Sequence, residues 1–301
     1  MGKKLVVGLL SVFLIVMTIL SLQGISSAGS GGKLRGGSTI GVIEINGPIS
    51  GGAGGGIMGG YTANAMDLMD IIRQAADRED IKAVVLRIDS PGGSAVASQE
   101  IALELDRLRE KGKKIIVSMG DTCASGGYWI ACSSDYIMAN GATLTGSIGV
   151  IMQLSNLEGL YEKLGIREEV IKSGEHKDMG SVSRDMTEEE RQILKDIVGD
   201  SYNQFLEQIL KGRQGKITRE ELLEVADGRI ISSHQALEMG LIDGIGNYYD
   251  ALAVARETVG LPEDSPVEVL NGTDFWKSLG WKAMALLSEQ VQSPYYQLRY
   301  Q

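Results

Sequence analysis

Twice in this chain a short β-branched run ends in a glycine-rich turn and passes straight into a helical pattern. Ile81–Ile88 leads through Asp89-Ser90-Pro91-Gly92-Gly93-Ser94 into the amphipathic stretch Ala95–Lys111. Lys114–Met119 leads through Gly120-Asp121-Thr122-Cys123-Ala124-Ser125-Gly126-Gly127 into Tyr128–Ser134. Strands alternating with helices at this spacing predict an α/β fold with a mostly parallel sheet and flanking helices. Further strands are expected at Thr39–Asn46, Tyr136–Ala139 and Arg167–Lys172. Ala65, Leu68, Met69, Ile72 and Ala76 recur at helical spacing within 62–76, and Gly112 is placed to stop the helix before it in a left-handed cap. Capping boxes at Thr187–Glu190 and Thr218–Glu221 open further helices, the first running to about Lys211. Ser233–Met239 and Tyr248–Thr258 complete the set. No linker interrupts 39–260, and the chain is less regular from about Leu261 to its end, so 38–260 reads as one domain and 261–301 as a C-terminal tail.

The N-terminus carries a second signal. Lys3 and Lys4 precede Leu5–Leu22, a run without a charge that would span roughly 27 Å as a helix, close to a bilayer core. An uncleaved transmembrane anchor over 5–22, with residues 1–4 in the cytoplasm, is expected on that length. A cleaved secretory signal ending near Ser26-Ser27-Ala28 is the alternative. Either places the rest of the chain outside the cytoplasm. The Gly/Ser-rich residues 23–37 read as a flexible linker.

Composition excludes several classes. With Lys+Arg 29 against Asp+Glu 39 the chain carries a net charge of −10, which argues against a nucleic-acid partner. Two cysteines, Cys123 and Cys132, make no disulfide framework, and with two histidines, His176 and His234, they make no metal site. No cofactor is expected. Gly54–Gly59 matches GxGxxG, but Pro48 separates it from the preceding strand and the next strand-end acid, Asp89, lies too far on, so a mobile glycine loop is the better reading.

Chemistry must therefore come from Ser, Lys, Asp, Glu or backbone amides. Glycines in the 89–93 turn let a ligand approach bare N–H groups at a helix N-terminus, which is how an oxyanion hole is built; a turn that simply needs glycine is the plainer alternative. Ser125 sits at the other strand-to-helix turn, where a serine is either an exposed nucleophile or a plain helix N-cap. A serine nucleophile needs a base. The candidates are the adjacent His176 and Lys177, which point to opposite faces if their segment is extended. A lysine serves when its surroundings keep it neutral.

Together these motifs resemble the signal peptide peptidase A family, membrane-bound serine peptidases of the Clp protease/crotonase fold. The matching stretches are DSPGGS at 89–94, ASGGYW at 124–129, LTGSIGV at 144–150, SGEHKD at 173–178 and ADGRIISSHQALEMGLIDGIG at 226–246, in order along 39–260. The resemblance implies Ser125 as nucleophile, Lys177 as general base and Ser147 as the hydroxyl that orients the lysine. It implies an oxyanion hole from the amide of Gly126 and that of either Gly92 or Gly93. It further implies peptide substrates bound as an added strand, above all apolar signal-peptide remnants, and membrane lipid around 5–22. The chain is of the half-length kind, whose relatives form homo-oligomeric rings, octameric as a class, with Ser and Lys from neighbouring protomers. A crotonase-type acyl-CoA enzyme and a non-catalytic membrane scaffold are the alternatives.

Overall fold

The computed structural model describes residues 38–52 and 62–271. The described residues from Thr39 onward form one compact unit. The apolar run 5–22, the linker 23–37, the glycine loop 54–59 and the tail beyond residue 271 lie outside the described residues. Among the described residues no helix is long and apolar enough to cross a membrane.

The sheet is built on β1 (Thr39–Asn46), β4 (Ile81–Ser90) and β5 (Lys114–Ala124), all parallel. β6 (Tyr136–Ala139) and β9 (Gly244–Ile245) extend it beyond β5, and β10 (Val267–Val269) pairs with β1 on the other side. β7 (Leu144–Gly146) pairs parallel with the last three residues of β5 and antiparallel with β8 (Ile230–Ser232). β2 (Ile49–Ser50) and β3 (Ala63–Asn64) form a small separate ladder. The expected mixed α/β architecture with a largely parallel sheet is therefore present.

Central parallel strands are covered on both faces, so they read as continuous apolar runs. On one face Val84, Leu86 and Ile88 pack toward α1 (Ala65–Asp77), α2 (Ala95–Glu110) and α3 (Gly126–Ala131). On the other Ala83 and Val85 meet Ala251, Leu252 and Ala255 of α8 (Tyr248–Thr258). Asn64 caps α1 by accepting from Met66 and Asp67 N–H, which moves the helix start to Ala65. Both expected capping boxes form, on α5 (Glu188–Gly212) and α6 (Arg219–Leu223); α7 (Ser233–Glu238) has a third, at Ser232.

Three stretches differ from expectation. β5 does not stop at Met119 but runs to Ala124. It pairs Ile88 with Met119 and then Ser90 with Cys123, so it spends more residues than β4 over the same distance and bulges. Side chains hold that bulge: Asp89 Oδ1 accepts from Thr122 N–H at 3.0 Å, Thr143 Oγ1 donates to Gly120 O at 2.7 Å and Thr145 Oγ1 donates to Cys123 O at 2.6 Å. The helix expected at Tyr128–Ser134 begins at Gly126, directly after Ser125. Arg167–Lys172 is irregular and exposed rather than a strand, within an arm over 149–185 that also contains the unforeseen α4 (Glu158–Leu164).

The helix that follows Ser125 is fastened at several points. Tyr128 Oη donates to Leu241 O at 2.7 Å, and the Trp129 ring lies 5.0 Å from that of Phe205 on α5. Arg213, just past α5, forks onto Asp243 at 2.7 and 2.8 Å; their side chains are 2% and 9% exposed. Asp243 also accepts from Ile137 N–H on β6. Removing one partner of a buried pair strands the other charge, so Asp243→Ala is expected to lower unfolding free energy by about 3–5 kcal/mol, read from urea denaturation. An unchanged midpoint would show that this pair contributes little.

Candidate active site

Ser125 occupies a strained turn. Its backbone stands at φ 52°, ψ −122°, outside the regions that non-glycine residues favour. It lies at the N-cap position of α3, yet its hydroxyl makes no capping hydrogen bond. A plain N-cap would have extended dihedrals and a hydroxyl turned back on the helix. Here the backbone is held on both sides: Ser125 N–H donates to Gly146 O of β7, and Trp129 N–H of α3 donates to Ser125 O, each at 2.9 Å.

The glycine turn before α2 closes over this serine. A Cβ at Gly92 would fall 2.7 Å from Gly126 N and 2.8 Å from Ser125 Cβ. One at Gly126 would fall 3.3 Å from Gly93 N and 2.4 Å from Ser98 Oγ. One at Gly93, where φ is +156°, would fall 2.1 Å from Ile49 O. Backbone therefore approaches backbone at distances that only glycine permits.

The two candidate amides of the turn are not equivalent. Gly92 N–H donates to the buried Ser90 Oγ at 3.1 Å. Gly93 N–H and Gly126 N–H have no hydrogen-bond partner among the described residues. Two unpaired amides beside a serine can receive a developing oxyanion. Ser90 is the residue that sequence reasoning missed. Its spacing to Gly92 is the ordinary one for a serine side chain bonding the backbone two residues on, and that was the available signal.

Ser147 stands beside Ser125. Ala124 and Gly146 are paired across β5 and β7, and each serine follows one of them. Ser147 also has a positive φ, 49°, and its N–H donates to Arg229 O at 2.8 Å. Burial pushes the thiol of Cys123, two residues before Ser125, well above its ordinary range, so it stays protonated and is no competing nucleophile.

Lys177 is placed differently. It is exposed, on a turn of the arm where its N–H donates to Gly174 O at 3.2 Å, and its side chain makes no hydrogen bond or ion pair among the described residues. The neighbouring His176 turns Nε2 toward Glu189, 3.6 Å away. Within one protomer the fold thus gathers Ser125, Ser147, Gly92, Gly93 and Gly126, and carries Lys177 on the arm without joining it to Ser125 by a hydrogen bond. A hollow of about 610 Å³ in that arm, beside Leu154, Arg184 and Leu194, is lined by neither Ser125 nor Lys177.

The sequence matches Peptidase family S49 over residues 107–262. A candidate protease of Synechocystis sp. is 45% identical over 191 residues, covering 64% of this chain and 68% of the relative. A candidate signal peptide peptidase SppA of Enterococcus faecium is 37% identical over 210 residues, covering 70% of this chain and 60% of that one. In fold, the chain is similar to a lysine-to-alanine mutant of the 1510-N membrane-bound stomatin-specific protease in complex with a substrate peptide, with a TM-score of 0.50 at 16% identity, covering 82% of this chain and 99% of that chain. These matches favour a peptidase over the acyl-CoA enzyme and the scaffold: the chain belongs to peptidase family S49 and is a serine peptidase.

Proposed function

We propose that this chain is a membrane-anchored endopeptidase that degrades cleaved signal-peptide remnants and other short unstructured peptides with a Ser125–Lys177 dyad. Residues 5–22 hold it in the lipid, with a Clp protease/crotonase-like catalytic domain outside the cytoplasm; β10 carries that domain past residue 260, and the tail follows it. It works as a homo-oligomeric ring, an octamer, in which Lys177 reaches the Ser125 of a neighbouring protomer. The observation that carries this reading is Ser125 itself: strained, uncapped, and flanked by the unpaired amides of Gly93 and Gly126. The arm supports the shared site. Ile151 and Ile171 are 89% and 96% exposed, and Leu160, Leu164 and Ile166 are exposed with them, an apolar surface that suits burial against a second copy.

The steps follow from these placements. Lys177, neutral, takes the Ser125 proton as Oγ attacks the scissile carbonyl. Gly93 and Gly126 N–H donate to the oxyanion, and Ser147 orients the amine. The lysine then protonates the leaving amine, and water, activated by the same lysine, hydrolyses the acyl-enzyme. An extended peptide lies beside the glycine turns as an added strand.

The test is cleavage by the full chain in detergent micelles of a peptide copied from a signal-peptide apolar core, against a polar peptide of equal length. Preferential cleavage of the apolar peptide is expected; preference for the polar one would overturn the substrate assignment. Gly93→Ala is expected to lower turnover by at least about a hundredfold, since it displaces an oxyanion donor and drives Cβ into Ile49 O. Turnover near wild type would remove Gly93 from the hole.

A further inference from the structure

Lys177 is followed directly by Asp178, and a lysine beside a free carboxylate is held in its charged form, which is of no use as a base. In this fold the carboxylate is engaged elsewhere. Arg184 Nε donates to Asp178 Oδ2 at 3.1 Å and Arg184 Nη2 to Oδ1 at 2.9 Å, while Lys172 Nζ donates to Oδ1 at 2.7 Å. The Asp178 side chain is 13% exposed. The guanidinium reaches α5 as well: Nη1 donates to Glu190 Oε2 at 2.9 Å and Nη2 to Oε1 at 2.5 Å. Glu190 is 2% exposed and also accepts from Thr187 N–H in the capping box.

We propose that Arg184 is a positioning residue for proton transfer at Lys177: it draws both Asp178 oxygens toward α5 and so leaves the Lys177 amine unpaired. This rests on the reading of Lys177 as the base. The charged groups around the turn also include Glu175, exposed two residues before Lys177. Asp178 faces Lys172 from the segment before the turn, Arg184 from the segment after it and, across Arg184, Glu190 of α5; Glu189 of α5 lies near His176. Hydrogen bonds from Arg184, then Lys172, hold the Asp178 carboxyl well below the usual carboxylate range. Those from Arg184 and from Thr187 N–H take Glu190 down to about 2. The cluster thus stays ionised and locked across the pH range in which a peptidase works.

Fastening the turn to α5 would by itself give the same contacts, and a pH profile separates the two roles. The measurement is kcat/KM against pH for the full-length oligomer, cleaving one peptide, in wild type, Arg184→Met, Asp178→Asn and the double variant. In Arg184→Met Lys172 still holds Oδ1, but Oδ2 is released and pairs with Lys177, so the acidic limb is expected to move up by about one pH unit, with the alkaline plateau kept. Adding Asp178→Asn removes that carboxylate and is expected to return the limb to its wild-type place. An equal loss at every pH in Arg184→Met, or a limb that stays displaced in the double variant, overturns the proposal in favour of a purely structural role. Should Arg184→Met fail to assemble, Asp178→Asn alone decides. Its limb is expected to stay in place, and a downward move of about one pH unit would show that Asp178 already acts on Lys177. Turnover by Lys177→Arg would overturn the base reading itself, a failure distinct from the others.

Discussion

Ser125→Ala is expected to reduce peptide turnover by about a millionfold, the loss that follows when a serine peptidase loses its nucleophile, and to leave stability almost unchanged. The Ser125 hydroxyl caps nothing in the fold, and alanine keeps the Cβ and hence the same backbone. Ser125→Gly separates strain from chemistry. At φ 52° and ψ −122° a side chain costs on the order of 1–3 kcal/mol, and glycine relieves it. Glycine also loosens the unfolded chain by roughly 0.5–1 kcal/mol, so a net gain of about 1 kcal/mol remains. The glycine variant is therefore expected to be inactive and to unfold at higher urea than wild type. A lower midpoint would mean that the turn is relaxed and that its dihedrals say nothing about poise for attack.

The second large effect concerns the origin of the base. Ser125→Ala and Lys177→Ala, each purified alone, are expected to be inactive, because every site then lacks one of the two groups, whichever chain supplies it. Co-expressed in one cell they are expected to recover activity. A working site then needs an intact serine from one kind of chain facing an intact lysine from the other, about a quarter of sites for random mixing at equal expression. An arm that exposes its apolar side chains and a lysine whose side chain has no partner among the described residues both fit that arrangement. A mixed ring shown by affinity tagging to contain both variants, yet inactive, would place Ser125 and Lys177 in one protomer.

Much of the core was legible because its signals are local. The β-branched runs at 81–88 and 114–119 are buried strands, and the capping boxes at Thr187 and Thr218 form through hydrogen bonds three residues apart. The extension of β5 to Ala124 was not legible. The bulge that permits it is held by Asp89, Thr143 and Thr145, which reach it from other strands and loops. Arg167–Lys172 misled for a related reason: Val170 and Ile171 are β-branched, but a strand needs a ladder partner, and among the described residues this stretch has none. At the site, spacing located Ser125 and the glycine turn but left Gly92 and Gly93 equivalent. The Ser90 hydroxyl breaks that tie by engaging Gly92 N–H. Lys177 is singled out as a candidate base only by the resemblance over the SGEHKD stretch, since no short-range pattern tells a base on an exposed arm from any solvated lysine.

The claim that Ser125 is the nucleophile is met most directly by a fluorophosphonate reagent, which bonds covalently to an activated serine. Full-length protein is treated, digested, and the adduct mapped by mass spectrometry. The account predicts one modified serine, Ser125, and no adduct in the Ser125→Ala protein. An adduct on any other serine, or labelling that persists in Ser125→Ala, would contradict it.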